Sequence, residues 1–124
     1  MGLIGISEFT KTVMKRIHQI PLGKVATYKQ IAELSGKPQA SRGVSWILHS
    51  CSTAYKLPWH RVLNSQGKIS FDRTTHNYRK QKKLLQNEGV LFDGEQLNMA
   101  KYQWKKKPAK AKARSGPKMF SKGT

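Results

Sequence analysis

The chain has 124 residues, the size of one ordinary domain, and 24 Lys and Arg against 6 Asp and Glu give it a formal net charge of +18. No apolar run approaches the roughly 20 residues of a membrane-spanning helix, the first six residues lack the basic region of a secretory signal, and the single Cys51 excludes an internal disulfide framework. We therefore expect a soluble intracellular protein, in the cytoplasm or nucleoid, or in the nucleus of a eukaryote. Its four scattered histidines make no zinc spacing, so neither metal nor cofactor is expected.

The positive charge occupies two parts of the chain. Residues 105–124 hold eight Lys and Arg and no acidic residue, which leaves a formal +10 for residues 1–104. A basic body with a basic tail is typical of proteins that bind a polyanion, with solubility alone as the alternative. Because the tail composition cannot bury a core, we predict one domain over 1–104 and a disordered tail over 105–124.

The first helix is predicted over residues 7–19, with Ser7 as its N-cap and an apolar face. Pro21 and Gly23 then end it in a turn. The apolar face carries Phe9, Val13, Met14 and Ile17.

A helix-turn-helix is predicted next, with a helical hairpin that binds nothing as the alternative. Thr27 followed by Gln30 forms a capping box that opens a second helix, and Gly36 suits a left-handed C-cap. A third helix is predicted over 39–50, with Ala40, Val44, Ile47 and Leu48 on its buried side. Its candidate DNA-binding residues are Ser41, Arg42 and Ser45, together with Gly43, where the absent side chain would let another molecule approach the backbone.

The second half of the chain predicts a small hairpin or wing, a helix and a closing segment. The turn cluster at 64–67 lies between two short apolar runs, so we predict a hairpin over 59–71. A helix is predicted over 75–88, ended by Gly89, and 90–104 supplies apolar and aromatic residues to close the core. The predicted fold is a mainly α, winged-helix-like helix-turn-helix domain with a small β-hairpin.

Three motifs carry a family resemblance. Residues 58–62 read Pro-Trp-His-Arg-Val, which resembles the Pro-Cys-His-Arg-Val active-site motif of the O6-alkylguanine-DNA alkyltransferases. Trp59 at the acceptor-cysteine position is the mark of the alkyltransferase-like proteins. Residues 20–28 resemble the family's Pro-x-Gly-x-Val-x-Thr-Tyr entry to the helix-turn-helix, and residues 84–90 resemble its Leu-x-x-Glu-Gly-Val helix end. The order and spacing agree over residues 8–104.

The resemblance implies a protein without alkyl transfer. In the alkyltransferases a thiolate attacks the alkyl carbon, and a His and a Glu lower the pKa of the thiol through a water. His60 and Glu88 stand at those two positions, but the Trp59 indole is a hydrogen-bond donor and no nucleophile. We therefore predict that His60 and Glu88 are a retained structural pair. Cys51 lies eight positions before Trp59, in a predicted loop, and is a poor substitute acceptor.

The resemblance also implies base flipping through the DNA minor groove. Arg42 matches the arginine that fills the gap left by the flipped base, with an ordinary phosphate contact as its alternative role. Tyr28 matches the tyrosine that helps to rotate the base out, with a core tyrosine as its alternative.

A lesion pocket is expected around Tyr28, Trp59 and Val62, where main-chain groups would read the guanine. In alkyltransferase-like proteins an arginine after the hairpin closes over the lesion. Counting places Asp72 at that position, and its neighbour Arg73 is the candidate.

The expected function is non-enzymatic recognition of O6-alkylguanine in duplex DNA by a monomer, which flags the lesion for nucleotide excision repair proteins. Arg61 and Lys68 are further candidate DNA contacts. The alternatives are a general minor-groove or architectural protein without a lesion pocket, and an active alkyltransferase that works through Cys51.

Overall fold

The structure is a computed structural model that describes residues 7–106. The mainly helical fold is confirmed, with five α-helices in the described part: α1 Glu8–His18, α2 Tyr28–Leu34, α3 Ser41–Tyr55, α4 His76–Asn87 and α5 Met99–Tyr102. Trp59–Arg61 forms one 3₁₀ turn. Within 7–106 no helix is long and apolar enough to cross a membrane. The predicted tail lies outside the described residues except for Lys105 and Lys106, so its disorder stays a prediction.

Side chains cap the helices where the sequence predicts them. The Ser7 hydroxyl accepts a hydrogen bond from the Thr10 amide at 3.1 Å. Thr27 Oγ1 accepts one from the Gln30 amide at 2.9 Å, and the Gln30 side chain accepts the Thr27 amide in return. Gly36 adopts a left-handed φ of +89° directly after α2, a backbone conformation that a side chain would disfavour. The turn of the helix-turn-helix therefore follows from local sequence.

The third helix differs from its predicted bounds. It begins at Ser41 and continues to Tyr55, five residues beyond the predicted end. No Gly or Pro follows Ser50 until Pro58, so nothing in the sequence ends the helix there. Cys51 therefore lies within α3 and not in the predicted loop.

The predicted hairpin over 59–71 is wrong in its pairing. The short strand β1, Ala26–Thr27, pairs in parallel with β2, Val62–Leu63. Val62 and Leu63 are fully buried, so this segment is stabilised by burial between helices. The predicted turn does form after β2, where the Asn64 amide donates to the Lys68 carbonyl at 3.1 Å.

The antiparallel hairpin lies later in the chain. It joins β3, Phe92–Asp93, to β4, Gln96–Leu97, around Gly94.

Two apolar clusters meet at the β1–β2 pair. The first lies among α1, α2 and α3, and the second lies under α4 and the closing segment. Ala26 and Val62 belong to the first cluster, whereas the adjacent Val25 and Leu63 belong to the second. Because successive strand residues point to opposite sides, this short pair connects the helix-turn-helix to the rest of the domain.

Candidate functional site

A cavity of about 440 Å³ lies between α3 and α4, a volume within the range of small-molecule sites. We call it the α3–α4 cavity. Its lining comes from the start of α2, the exposed side of α3, the 3₁₀ turn, β2, the following loop and α4. The residues are Tyr28, Ser45, Leu48, His49, Ser52, Thr53, Trp59, Val62, Ser70, Phe71, Asn77, Lys80 and Gln81. The fold thus brings Tyr28, Trp59 and Val62 together around one space.

Aromatic rings form one wall of this cavity. The ring centroids of Trp59 and Phe71 are 6.2 Å apart at an interplanar angle of 87°, an edge-to-face arrangement. Phe71 is 39% exposed, an unusual state for a phenylalanine that the sequence does not reveal. Tyr28, the first residue of α2, is half-buried and also packs against the first apolar cluster. This wall consists of aromatic rings and contains no thiol.

Gln81 holds the motif segment against α4. Its side-chain amide donates to the carbonyls of His60 and Val62, each at 3.1 Å, and the residue is 2% exposed. The Trp59 carbonyl accepts the Val62 amide within the 3₁₀ turn. The carbonyls of Trp59 and Val62, which are expected to read a guanine, thus already accept hydrogen bonds from within the protein. Each oxygen retains a second lone pair for a ligand.

Glu88 is the centre of a second polar group, which we call the Glu88 cluster: Glu88, His60, Arg61 and the main chain of Ile20 and Gly23. His60 Nε2 lies 2.7 Å from Glu88 Oε2, and Arg61 binds the same carboxylate at 2.8–3.2 Å. The Gly23 amide donates to Glu88 Oε1 at 3.1 Å, and Arg61 also donates to the Ile20 carbonyl at 2.9 Å. The cluster therefore ties the 3₁₀ turn to the end of α4 and to the α1–β1 turn.

The carboxylate of the Glu88 cluster is strongly favoured in its ionised form. Burial alone raises the pKa of Glu88, but hydrogen bonds from Arg61, His60 and the Gly23 amide outweigh it and lower the pKa from 4.5 to about 2. Because an ionised carboxylate only accepts hydrogen bonds, His60 Nε2 carries the donated proton. This geometry agrees with the predicted structural pair of His60 and Glu88.

The outer face of α3 is open. Arg42, Ser45, Trp46 and His49 are exposed there, at positions that share one side of a helix. Ser41 is half-buried at the first position of the helix. The helix contains no acidic residue from 41 to 55. The face is therefore suited to an anionic ligand.

Gly43 does not face this open side. A Cβ placed there would lie 3.5 Å from the ring of Phe9 in α1, an ordinary van der Waals contact. The expectation that Gly43 leaves the exposed surface bare is wrong, because its helical position points toward α1.

Three predicted basic residues are not brought to the cavity. Arg61 is only 16% exposed and is held by Glu88, so the assignment of Arg61 as a DNA contact is not supported. Arg73 forms an ion pair with Glu95 and is absent from the cavity lining. Lys68 is exposed beside a backbone bridge to Gln96, also away from the lining. A role for Arg73 or Lys68 on DNA stays a prediction.

Sequence reasoning missed eight polar or aromatic lining residues: His49, Ser52, Thr53, Ser70, Phe71, Asn77, Lys80 and Gln81. For His49 the signal was available, since it lies one turn after Ser45 on a helix without a breaker. For Gln81 the signal was a polar residue on the same side of the helix as the buried Tyr78 and Leu85, three positions after the first and four before the second. No local sequence pattern predicts that Phe71 lines the cavity, because its position depends on the path of the loop that carries it.

Cys51 is set apart from the cavity. It is half-buried within α3, packs against the first apolar cluster and is absent from the lining. Among residues 7–106, no three His, Cys, Asp or Glu side chains group as a metal site requires.

Comparisons with known proteins agree with this arrangement. Residues 8–90 match the family described as 6-O-methylguanine DNA methyltransferase, DNA binding domain. The chain is 40% identical over 100 residues to a DNA base-flipping protein of Vibrio parahaemolyticus, which covers 80% of this chain and 98% of that one. It is 37% identical over 105 residues to alkyltransferase-like protein 1 of Schizosaccharomyces pombe, covering 81% and 97%.

The fold is similar to that of a protein solved in complex with DNA. The crystal structure of S. pombe Atl1 with damaged DNA containing O6-carboxymethylguanine matches with a TM-score of 0.70 and 36% identity, over 80% of this chain and 96% of that one. These matches span the helix-turn-helix, the Trp59 motif and Glu88 together. This chain therefore belongs to the 6-O-methylguanine DNA methyltransferase DNA-binding-domain family, as one of its alkyltransferase-like proteins.

Proposed function

We propose that this protein recognises O6-alkylguanine in duplex DNA and binds the flipped base without removing its alkyl group. The observation that carries the proposal is the α3–α4 cavity, which opens beside the acid-free face of α3 and has Trp59 at the acceptor position. The S. pombe relative bound to O6-carboxymethylguanine DNA supports the same class of ligand.

In the proposed complex, α3 lies in the minor groove and Arg42 enters the base stack. A guanidinium is planar and always charged, so it can replace a base between its neighbours. Flipping costs a few kcal/mol of unstacking, and the cost is smallest where a lesion already weakens pairing. Tyr28, Trp59 and Val62 would contact the flipped base, with Phe71 beside Trp59.

Alkyl transfer is not part of the proposal. The Trp59 indole has no lone pair available to accept an alkyl group, and Cys51 packs toward the core within α3. His60 is engaged by the Glu88 carboxylate at 2.7 Å. The bound lesion would instead be passed to another pathway, for which we propose nucleotide excision repair, with the protein acting as a monomer.

A general minor-groove protein is the second candidate, favoured by the charge of +18 alone. The two candidates differ in binding to matched duplexes with guanine or O6-methylguanine at one salt concentration. Lesion recognition predicts clearly tighter binding to O6-methylguanine, whereas an architectural protein binds both equally. Equal affinities would contradict the proposal.

The absence of transfer has its own test. After incubation with O6-methylguanine DNA, mass spectrometry should find unmodified protein and a methyl group still on the base. A protein methylated in a 1:1 ratio, at Cys51 or elsewhere, would contradict it.

For residues 105–124 we propose a non-specific contribution to affinity. Each phosphate contact adds about 0.9 to the slope of log K against log salt, so loss of about four contacts should flatten the slope by about 3–4. Deleting the tail should leave the ratio of lesion to undamaged affinity within about threefold, because a cationic segment contacts the same phosphates on both. An unchanged slope would mean that the tail does not contact DNA.

A further inference from the structure

Among residues 7–106, Trp46 is the aromatic residue with the largest exposed fraction, 69%. Indole is a large apolar group with one polar N–H, and Trp is enriched at binding interfaces for that reason. The motif resemblance assigns no role to it.

The surroundings of Trp46 identify the kind of ligand. Arg42 lies one helical turn before it, and Ser45 and His49, which flank it on the same side of α3, line the α3–α4 cavity. Trp46 itself is absent from the lining and therefore lies beside the cavity, on a helix without acidic residues. A cation and an aromatic side by side complement a polyanion whose bases offer π faces, which is the chemistry of DNA.

We propose that Trp46 is a second inserting side chain, which stacks on a nucleotide near the flipped base while Arg42 fills the vacated position. This inference rests on the proposed function, since it requires α3 to lie in the minor groove. Proteins that bind the minor groove often insert apolar wedges that partly unstack a base step.

Helix geometry gives the expected position of the contact. Four residues along an α-helix span about 6 Å, or nearly two base-pair steps of about 3.4 Å. Trp46 should therefore contact DNA about two steps from the position that Arg42 fills, if α3 follows the groove.

The test compares two exposed apolar residues. Trp46→Ala removes the indole, and Leu22→Ala removes a side chain of similar exposure, 71%, from the α1–β1 turn. Binding of the full chain to lesion and undamaged duplexes is measured over a salt series, and thermal unfolding checks that both variants fold. A fluorescent 2-aminopurine placed one or two steps to either side of O6-methylguanine reports stacking directly.

We expect Trp46→Ala to weaken lesion binding about tenfold with no change in the salt slope, because a stacking contact releases no counterions. Leu22→Ala should stay within about twofold of wild type, Trp46→Phe should recover most of the loss, and the 2-aminopurine response should disappear only in Trp46→Ala. Trp46→Ala binding as tightly as Leu22→Ala, with an intact 2-aminopurine response, would overturn this inference. The proposed function fails separately, if wild-type protein shows no preference for the lesion.

Discussion

The Glu88 cluster and the outer face of α3 are both rich in charged or polar groups. In the Glu88 cluster these groups are paired with each other inside the protein, whereas on α3 they are exposed to solvent. Glu88 receives hydrogen bonds from two side chains and one main-chain amide, with 12% of its side chain exposed. Arg42 and His49 are exposed on α3, and no ion pair is found for Arg42 within residues 7–106.

The difference separates residues that shape the site from residues that are free to bind. A buried charge must be paired inside the protein, so the Glu88 cluster fixes the segment that carries Trp59. An exposed and unpaired cation is free for a ligand phosphate or base. The residues that resemble a catalytic relay are thus paired inside the protein, whereas the exposed face of α3 carries the residues that we propose for binding.

The largest effect is expected from breaking the Glu88 cluster. Glu88→Ala leaves Arg61 and His60 partly buried without their partner, which should lower the free energy of unfolding by about 3–5 kcal/mol. Glu8→Ala is the matched control, because Glu8 also pairs with a cation, Lys11 at 3.1 Å, but is 89% exposed. Its cost should stay below about 1 kcal/mol. Urea unfolding of both variants measures the difference, and equal losses would contradict the comparison.

Acid should weaken the same cluster. Because folding lowers the pKa of Glu88 from 4.5 to about 2, its contribution to stability is complete above pH 4.5 and is lost as the pH falls toward 2. Glu88→Gln cannot ionise, so its stability should vary less than that of wild type in this interval. Urea unfolding measured between about pH 6 and about pH 3 tests this. A constant gap between wild type and Glu88→Gln would show that the carboxylate is not linked to folding.

On the open face, Arg42→Ala should act on binding and leave stability nearly unchanged. If Arg42 fills the vacated stack, its loss should weaken lesion binding by about 5–100-fold and reduce the extrahelical population of the base together. Lys15→Ala removes an equal charge from the exposed side of α1 and should cost less than about threefold. A fluorescent base analogue at the lesion reports flipping. Equal effects of the two variants would reduce Arg42 to a phosphate contact.

The smallest effect is expected at Gly43, on the side of α3 that faces α1. Because a Cβ there finds ordinary contact with Phe9 and no clash, Gly43→Ala should raise the free energy of unfolding by about 0.5–1 kcal/mol. Affinity for DNA should remain within about twofold of wild type. A large loss of affinity would show that the Gly43 backbone does approach DNA.

Local sequence determined the helix caps, the helix-turn-helix and the motif that identified the family. Ser7, Thr27 and Gln30 act within three residues of themselves, and Gly36 requires a backbone conformation that few other residues adopt, so these features needed no tertiary information. Trp59, His60 and Glu88 were found by motif order and spacing.

Tertiary structure alone decided the partners of the interior residues. The pairing of β2 with β1, which lies 36 positions away at Ala26 and Val62, depends on burial between helices that no local pattern reports. The same is true of Arg61. Its charge suggested a contact at the surface, but in the folded chain its guanidinium donates to Glu88 and to the Ile20 carbonyl. Which charges are paired inside the protein, and which remain exposed to bind, is set by contacts between residues distant in sequence, and only the folded chain brings those residues together.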